Sequence, residues 1–296
     1  MQAPHRSLAP ADDAERFLVE LLDALWERYH ARVEPARRFE AMVEAQGRAW
    51  RNDHVAFRAV AWQKPASGLF TIARPFEALG YAAAGCYEFP DKKLSAVHYR
   101  HRNAAFPKLF ISELKAWELS PGARAVLARS LERQAPSPLG DDALAALASG
   151  AAADRAALLQ ACLEFFTRRP WPAPERADMQ ALDRESQYGA WVLAHGREVN
   201  HFTGAVDDIE RAVADLRAAG VAMKAEIEGA KGSPLRQSST EAVVLPVEVS
   251  DGGAAATMPW TYAYFELAER SQGFEGFFGP QATNLFDMTK FAGPRR

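Results

Sequence analysis

The sequence predicts an α+β fold in which two βαβββ modules enclose a cleft, with N-terminal helices before them and a helical insert between them. Two segments favour this interpretation, residues 54–114 and residues 198–268, because each has the pattern of a strand, a helix and three further strands. In each segment the helix pattern ends at a glycine, Gly80 or Gly220, that leads into the next strand. An internal repeat of this length indicates two copies of one supersecondary unit.

The N-terminal region, residues 1–50, is expected to be helical. Apolar side chains recur at helical spacing from Phe17 to Trp26, and acidic residues precede them, as suits the start of a helix. Pro35 marks a break, and a second helix is predicted from Phe39 onwards. We expect these helices to cover one face of the sheet.

The first module is assigned to residues 51–118 and the helical insert to residues 119–187. The predicted elements of the module are a strand at 54–62, a helix at 68–79 and strands at 81–89, 94–100 and 107–114. The insert is rich in alanine and leucine, with proline and glycine between short apolar segments. This pattern predicts several short helices that pack together and carry no chemistry.

The second module is assigned to residues 188–269 and the C-terminal tail to residues 270–296. The predicted elements of the module are a strand at 198–206, a helix at 209–219 capped by Asp207 and Asp208, and strands at 221–228, 242–249 and 262–268. The part of the tail from Ser271 to Phe286 contains four phenylalanines, at positions 274, 277, 278 and 286. Because such side chains favour burial, we predict that the tail folds back as a lid over the cleft.

The composition excludes several classes of protein. A chain of 296 residues that is 48% hydrophobic and 25% charged is typical of a globular protein with a sizeable core. Its formal net charge of -3 argues against nucleic acid as a main partner. No apolar run approaches the roughly 20 residues of a membrane span or forms a signal peptide, so we expect no membrane partner and a cytoplasmic location. The two cysteines, Cys86 and Cys162, provide no disulfide framework.

Three residues on different predicted strands are candidates for one metal site. His54 and His201 each lie on the strand that opens a module, and Glu266 lies on the closing strand of the second module. Two imidazoles and a carboxylate form a facial set that leaves metal positions open for oxygen and substrate. Taken singly, each residue has another interpretation. His54 or His201 could be a packed or surface histidine, and Glu266 could lie on an exposed strand face. Glu113 is the first-module counterpart that would substitute for Glu266.

Arg58 is the candidate for binding a substrate. It follows His54 by four residues, so the two side chains point to the same face of a strand. An arginine there is suited to hold a carboxylate by two parallel hydrogen bonds, and a surface salt bridge is the alternative. The sequence contains no nucleophile elbow, phosphate loop or dinucleotide-binding motif that would indicate a different chemistry.

The remaining histidines are weaker candidates. His98 and His101 are three residues apart on one strand and therefore lie on opposite faces. His195 precedes a glycine and is expected in a loop or turn, where it supports the site or is solvated. His5 and His30, in a terminal segment and a helix, are not expected to take part.

Several motifs resemble those of the 2-oxoadipate dioxygenase/decarboxylase family, the hydroxyglutarate synthases. They are Asn-Asp-His-Val-Ala-Phe-Arg at 52–58, Val-Asn-His-Phe-Thr at 199–203, Phe-Glu-Leu-Ala-Glu-Arg at 265–270 and Gly-Pro-Gln-Ala-Thr at 279–283. The similarity covers most of the chain and is least specific in the helical insert, and many members of the family are longer. The resemblance implies a vicinal-oxygen-chelate fold that holds a non-haem Fe(II).

The resemblance also implies the roles of individual residues. His54, His201 and Glu266 match the ligands of the Fe(II) cofactor, and Arg58 matches an arginine that binds the substrate and serves catalysis. The implied reaction converts 2-oxoadipate and O2 to 2-hydroxyglutarate and CO2 in lysine catabolism, so that the partners are a small 2-oxo acid and O2. The alternatives are another metal-dependent enzyme of this fold (an isomerase, a lyase or a ring-cleaving dioxygenase) and a metal-free module that binds a small ligand.

Overall fold

The computed structural model describes residues 4–150, 154–279 and 286–289. The helices are α1 (Asp13–Arg32), α2 (Glu34–Ala45), α3 (Leu69–Ala78), α4 (Pro121–Leu131), α5 (Asp141–Ser149), α6 (Arg155–Thr167), α7 (Arg176–Glu185), α8 (Gln187–His195) and α9 (Ile209–Ala218). The strands are β1 (Arg51–Ala61), β2 (Tyr81–Phe89), β3 (Leu94–His101), β4 (Lys108–Lys115), β5 (Val199–Ala205), β6 (Leu235–Ser239), β7 (Val244–Asp251), β8 (Ala254–Thr261) and β9 (Glu266–Arg270). Within these ranges, no helix has both the length and the apolar character needed to cross a membrane.

The two modules share one sheet. Its strand order is β2-β3-β4-β1-β5-β9-β6, while β7 and β8 form a separate hairpin. β1 and β5, which open the modules, pair with each other in antiparallel fashion. Each also pairs in parallel fashion with the closing strand of its own module, β1 with β4 and β5 with β9. The predicted α+β fold of paired modules is confirmed, with the modules joined edge to edge about a pseudo-twofold axis between β1 and β5.

The second module departs from the predicted strand pattern. The predicted strand at 221–228 forms only two isolated bridges, one to Gln237 of β6 and one to Thr240 just after it. The predicted strand at 242–249 corresponds largely to β7, which lies outside the main sheet, and the predicted strand at 262–268 enters the sheet only at Glu266. The strand that fills the gap, β6, was not predicted because its Leu-Arg-Gln-Ser-Ser sequence is buried throughout and lacks apolar alternation.

His195, which the sequence placed in a loop or turn, is the last residue of helix α8, so that prediction was wrong. The Ser186 hydroxyl accepts a hydrogen bond from the Gly189 backbone at the start of the helix, and Gly196, with φ +68°, ends it. α8 is buried from Tyr188 to His195, so it lacks the amphipathic period that marks a surface helix. His195 is consequently not solvated, and its Nε2 lies 2.8 Å from the carbonyl oxygen of Thr261.

Helices cover the face of the sheet opposite the cleft. Phe202 of β5 packs against Trp26 of α1 with ring centroids 5.1 Å apart, and Phe57 of β1 packs against Phe166 of α6 at 5.4 Å. Burial of each such ring stabilises the fold by about 1.5–3 kcal/mol. Because adjacent residues of a strand point to opposite faces, anchoring Phe202 on this side directs His201 into the cleft.

Candidate metal centre

Each opening strand has a β-bulge immediately before its candidate histidine. Register shifts in the β1–β5 ladder leave Asp53 and Asn200 without a residue opposite them. The pseudo-twofold axis that exchanges His54 with His201 also exchanges these two bulges. A bulge changes the direction of a side chain, which allows the Asp or Asn to reach the ring of the histidine that follows it.

His54, His201 and Glu266 come together on the cleft side of the sheet. One ligand atom from each lies within 4.8 Å of the other two. Nε2 of His54 is 3.4 Å from Oε1 of Glu266, and Nε2 of His201 is 3.3 Å from Oε2. Atoms bound to one ion at about 2.1 Å in neighbouring positions are about 3 Å apart, so these separations suit a single metal ion. The described residues contain no second group of this kind.

The outer nitrogen of each histidine is held by its bulge residue. Nδ1 of His54 lies 2.7 Å from Oδ1 of Asp53, and Nδ1 of His201 lies 3.1 Å from Oδ1 of Asn200. These acceptors place a proton on each Nδ1 and leave the Nε2 lone pairs directed into the site. Asp53 is fixed in turn by Arg270, whose Nε donates a hydrogen bond to it over 2.6 Å.

The surroundings of Glu266 favour a bound cation. The residue is 1% exposed, and its Oε1 accepts a hydrogen bond of 2.6 Å from Gln237 whereas Oε2 has no hydrogen-bond partner among the described residues. Burial raises the pKa of Glu266 to about 8, and burial also lowers the pKa of His54 and of His201, which keeps both imidazoles neutral. At neutral pH the metal-free carboxyl of Glu266 therefore holds a proton, which a bound cation would displace, so the triad can hold a metal ion.

The first module places an aromatic ring where the second module places a carboxylate. Glu266 lies beside Thr203 in the parallel β5–β9 ladder. The pseudo-twofold axis relates Thr203 to Ala56, and Ala56 lies beside Phe110 in the parallel β1–β4 ladder. Phe110, and not Glu113 as the sequence predicted, is therefore the counterpart of Glu266. The site therefore offers three candidate ligand groups, with an apolar side chain at the position equivalent to Glu266.

The other candidates lie outside the triad. Glu113 accepts a hydrogen bond of 2.7 Å from the Leu69 backbone at the start of α3, so it does not substitute for Glu266. His98 pairs with the Tyr87 hydroxyl at 2.9 Å, and Nε2 of His101 lies 2.9 Å from a backbone carbonyl oxygen. His98 and His101 have different partners, which agrees with the prediction that their side chains lie on opposite faces of the strand.

We expect Phe110→Glu to close the open position of the site. The new carboxylate would provide a fourth ligand, so metal dissociation should slow at least about tenfold. Turnover should fall by about 100-fold or more, because a catalytic metal site needs an open position. Metal release to a chelator and oxygen uptake measure the two effects. Phe110→Leu is the matched control and should keep turnover within a few-fold of the parent. Full activity in Phe110→Glu would contradict the assigned position.

Arg58 is a buried cation without an acidic partner. It is 2% exposed, and within the described ranges no carboxylate lies within 4 Å of its guanidinium. Nη1 donates to Oγ1 of Thr289 over 2.6 Å and Nη2 donates to the carbonyl oxygen of Phe286 over 3.1 Å. The guanidinium lies over the rings of Tyr188 and Trp191, at 4.9 and 5.3 Å. Burial lowers the pKa of Arg58, a desolvation cost that an anionic ligand would offset.

The cavity between the triad and Arg58 is small because aromatic side chains fill its mouth. It measures about 30 Å³, enough for about one or two water molecules. Phe277 packs edge-on against the ring of His54 at 4.9 Å, and Tyr264 stacks on His201 at 4.7 Å. Phe286 completes the lining. A ligand with a carbon chain therefore requires a shift of the tail residues that bound the cavity.

Sequence reasoning missed several residues that shape the site. They are Asp53, Asn200, Gln237, Tyr264 and Arg270. Asp53 and Asn200 could have been found because each directly precedes a candidate histidine. No sequence signal indicated Gln237, because β6 was not recognised as a strand. In the tail, Gln272 is exposed and bonds the carbonyl oxygen of Gly232 at 3.4 Å. Gln281 and Asn284, which the sequence left without a role, lie outside the described residues.

The paired modules and the convergent triad define a protein of the vicinal-oxygen-chelate class. The fold is similar to the crystal structure of a putative glyoxalase superfamily protein from Ralstonia eutropha JMP134, with a TM-score of 0.82 and 25% identity over 90% of this chain and 87% of that chain. More specifically, the chain belongs to the 2-oxoadipate dioxygenase/decarboxylase (HGLS) family, whose model matches residues 18–277. The family and the fold predicted from the motifs are thus confirmed.

Two relatives illustrate the range of the family. The chain is 29% identical over 239 residues to the chloroplastic 2-oxoadipate dioxygenase/decarboxylase of Arabidopsis thaliana, covering 74% of this chain and 58% of that protein. It therefore spans less than two thirds of that relative. The crystal structure of hydroxyglutarate synthase from Oryza sativa in complex with 2-oxoadipate matches with a TM-score of 0.72 and 25% identity, over 98% of this chain and 97% of that chain.

Proposed function

We propose that this protein is an Fe(II)-dependent dioxygenase/decarboxylase that converts 2-oxoadipate and O2 to 2-hydroxyglutarate and CO2, in lysine catabolism. The observation that carries the proposal is a buried guanidinium, without a carboxylate within 4 Å among the described residues, in the same cavity as a triad suited to one metal ion. The relatives named for this reaction, and the rice structure with 2-oxoadipate, support the choice of substrate.

The triad His54, His201 and Glu266 would hold the metal at one side of the cavity. When bound, Fe(II) supplies a centre that a 2-oxo acid chelates through its keto and carboxylate oxygens and at which O2 is activated. Gln237 keeps the carboxylate of Glu266 in place by its hydrogen bond of 2.6 Å. Asp53 orients the ring of His54 in the same way, over 2.7 Å.

Arg58 would orient the substrate from the opposite side of the cavity. Because chelation occupies the keto acid end of 2-oxoadipate, the distal carboxylate is the group free to meet the guanidinium. The aromatic rings of Tyr188 and Trp191 hold the guanidinium and limit its motion. By holding the far end, Arg58 would fix the carbon next to the keto group, the one that carries the hydroxyl in the product, on the triad side of the cavity.

Apolar side chains would keep water away from the reacting atoms. Phe110 and Phe277 pack against each other at 4.9 Å and line the cavity beside His54. A dry cavity strengthens the charge interaction of Arg58 with the substrate and protects reactive intermediates from solvent. We propose that the tail residues 277 and 286–289 act as the lid, in agreement with the sequence-based expectation.

Replacing Thr289 tests the lid. Its hydroxyl accepts a hydrogen bond of 2.6 Å from Arg58 and so competes with the substrate carboxylate. Thr289→Val keeps the shape and removes this acceptor, and we expect the KM for 2-oxoadipate to fall roughly three- to tenfold with kcat little changed. Thr289→Ser is the matched control, since serine keeps the hydroxyl that accepts the hydrogen bond from Arg58. A higher KM in Thr289→Val would contradict a competing lid.

Isotope labelling tests the proposed reaction. With 18O2, both oxygen atoms should appear in 2-hydroxyglutarate, one in the new carboxylate and one in the hydroxyl, and neither in CO2. Turnover of 2-oxoadipate without O2 would instead support an isomerase or lyase of the same fold. A protein that binds 2-oxoadipate equally well with and without metal would be a binding module. The cytoplasmic location stays a prediction, and the Arabidopsis relative is described as chloroplastic.

A further inference from the structure

A second concave site lies away from the metal centre, between the end of α1, the end of α6 and the segment before α7. It encloses about 860 Å³, which is within the range of small-molecule sites. We call it the arginine groove after the six arginines that line it, Arg28, Arg32, Arg133, Arg168, Arg169 and Arg197. None of the residues that line the metal cavity lines this groove.

The arginine groove has an excess of positive charge. Among its described lining residues, six arginines face three glutamates, which leaves three positive charges without a counter-charge. Glu198 is shared by Arg28 and Arg32. The groove is also lined by His195, which is neutral because burial lowers its pKa to about 4. The field in the groove therefore favours an anion.

Three of the arginines are not neutralised at close range. The nearest carboxylate to Arg169 belongs to Glu248, at 3.9 Å, and that side chain is 84% exposed. Arg133 and Arg197 form no ion pair with any described residue, whereas Arg168 is paired with a glutamate of α6. The exposed pair with Glu248 contributes little. Nε and Nη1 of Arg169 donate to three backbone carbonyl oxygens, so Nη2 of Arg169 and the guanidinium groups of Arg133 and Arg197 remain available to a ligand.

Arg197 is the buried member of this set. It is 8% exposed, and its guanidinium lies over the ring of Phe165 at 4.4 Å. In the described structure its one side-chain hydrogen bond, to Oε1 of Gln134, is long at 3.5 Å. Burial lowers the pKa of Arg197 to about 10. A guanidinium removed from water with so few partners is stabilised by an anion that accepts its hydrogen bonds.

We propose that the arginine groove binds the phosphoryl group of a small phosphorylated molecule, with Arg197 as the buried anchor and Arg133 and Arg169 beside it. A phosphoryl group has two negative charges and three acceptor oxygens, which match three guanidinium groups better than one carboxylate does. Phe165 and the prolines of the wall, among them Pro170, offer an apolar surface for the organic part. The groove is thus a second ligand site, separate from the metal chemistry.

Calorimetric titration of the full chain with inorganic phosphate, phenyl phosphate and benzoate tests the proposal. Phenyl phosphate should bind most tightly, inorganic phosphate more weakly, and benzoate at least tenfold more weakly than phenyl phosphate. The same binding should persist in His201→Ala, which separates the groove from the metal centre. Equal affinity for benzoate, tighter binding of free phosphate than of phenyl phosphate, no binding at millimolar concentration, or loss of binding in His201→Ala would overturn the proposal.

Variants locate the ligand. Arg197→Met and Arg133→Met should each weaken phenyl phosphate at least tenfold, and Arg74→Met, an exposed arginine of α3 that pairs with Asp141, should leave its affinity unchanged. Circular dichroism checks the fold, and if Arg197→Met fails to fold, the exposed Arg133 carries the test alone. Unchanged affinity in Arg133→Met, or equal losses in Arg74→Met, would overturn the proposal.

Discussion

Replacing His201 with alanine is expected to abolish metal binding and, with it, turnover. Loss of an outer hydrogen-bond partner alone typically costs 10–100-fold in metal affinity, so loss of a direct ligand should cost more than about 100-fold. Nε2 of His201 lies 3.3 Å from Glu266, and no other described histidine is placed to replace it in the triad. Metal content after anaerobic loading with Fe(II), followed by dialysis, measures the effect.

His195→Gln is the matched control for this experiment. His195 is also a buried histidine, and its bond to the carbonyl oxygen of Thr261 is one that a glutamine amide can donate. We expect this variant to keep iron and activity. If His201→Ala keeps iron as well as the parent protein does, the proposed metal site is wrong.

Replacing Arg58 with methionine is expected to leave metal binding intact and to remove most of the affinity for 2-oxoadipate. Two hydrogen bonds to a charged partner, each contributing about 1.5–3 kcal/mol, imply a fall in kcat/KM of roughly 100- to 20,000-fold. The long methionine side chain fills the same space, and a buried guanidinium without a carboxylate partner is lost. We therefore expect the substrate-free variant to be as stable as the parent, or more stable by about 1 kcal/mol.

Substrate analogues sharpen the Arg58 experiment. If Arg58 binds the distal carboxylate, the variant should have a much higher KM for 2-oxoadipate than the parent. Its KM for 2-oxohexanoate, which lacks that carboxylate, should equal that of the parent. Arg51→Met is the matched control, because Arg51 lies on the same strand and pairs with the exposed Asp207. An unchanged KM for 2-oxoadipate in Arg58→Met would exclude the assigned role. An equal rise in KM for both acids would show that Arg58 binds the proximal carboxylate instead.

Local sequence patterns were sufficient to predict the first module, where strands alternate and a glycine ends the helix. The observed β2, Tyr81–Phe89, has the predicted bounds; β3 differs from the prediction by one residue at one end, and β4 by one residue at each end. The second module was harder because tertiary contacts override its local pattern. β6 is buried on both sides although it contains Gln237, Ser238 and Ser239, and α8 is apolar all round. Neither has the period by which an element is recognised.

The candidate site could be predicted only in part for a related reason. Equivalent positions in two modules pointed to His54 and His201, and an acid among aromatic residues pointed to Glu266. Their distances depend on strand register, which no short motif specifies. The bulges at Asp53 and Asn200 depend on the pairing of β1 with β5, a contact between residues almost 150 positions apart in the chain. The same pairing reveals Phe110 as the counterpart of Glu266.

Oxygen uptake tests the central claim most directly. The Fe(II)-loaded protein would be offered dicarboxylic 2-oxo acids from 2-oxosuccinate to 2-oxopimelate, with O2, CO2 and the acid products measured together. We predict one O2 consumed and one CO2 released for each 2-oxoadipate, with 2-hydroxyglutarate as the product and weaker turnover of the shorter and longer acids. Absence of uptake with every acid, or conversion of 2-oxoadipate under anaerobic conditions, would contradict the proposed function.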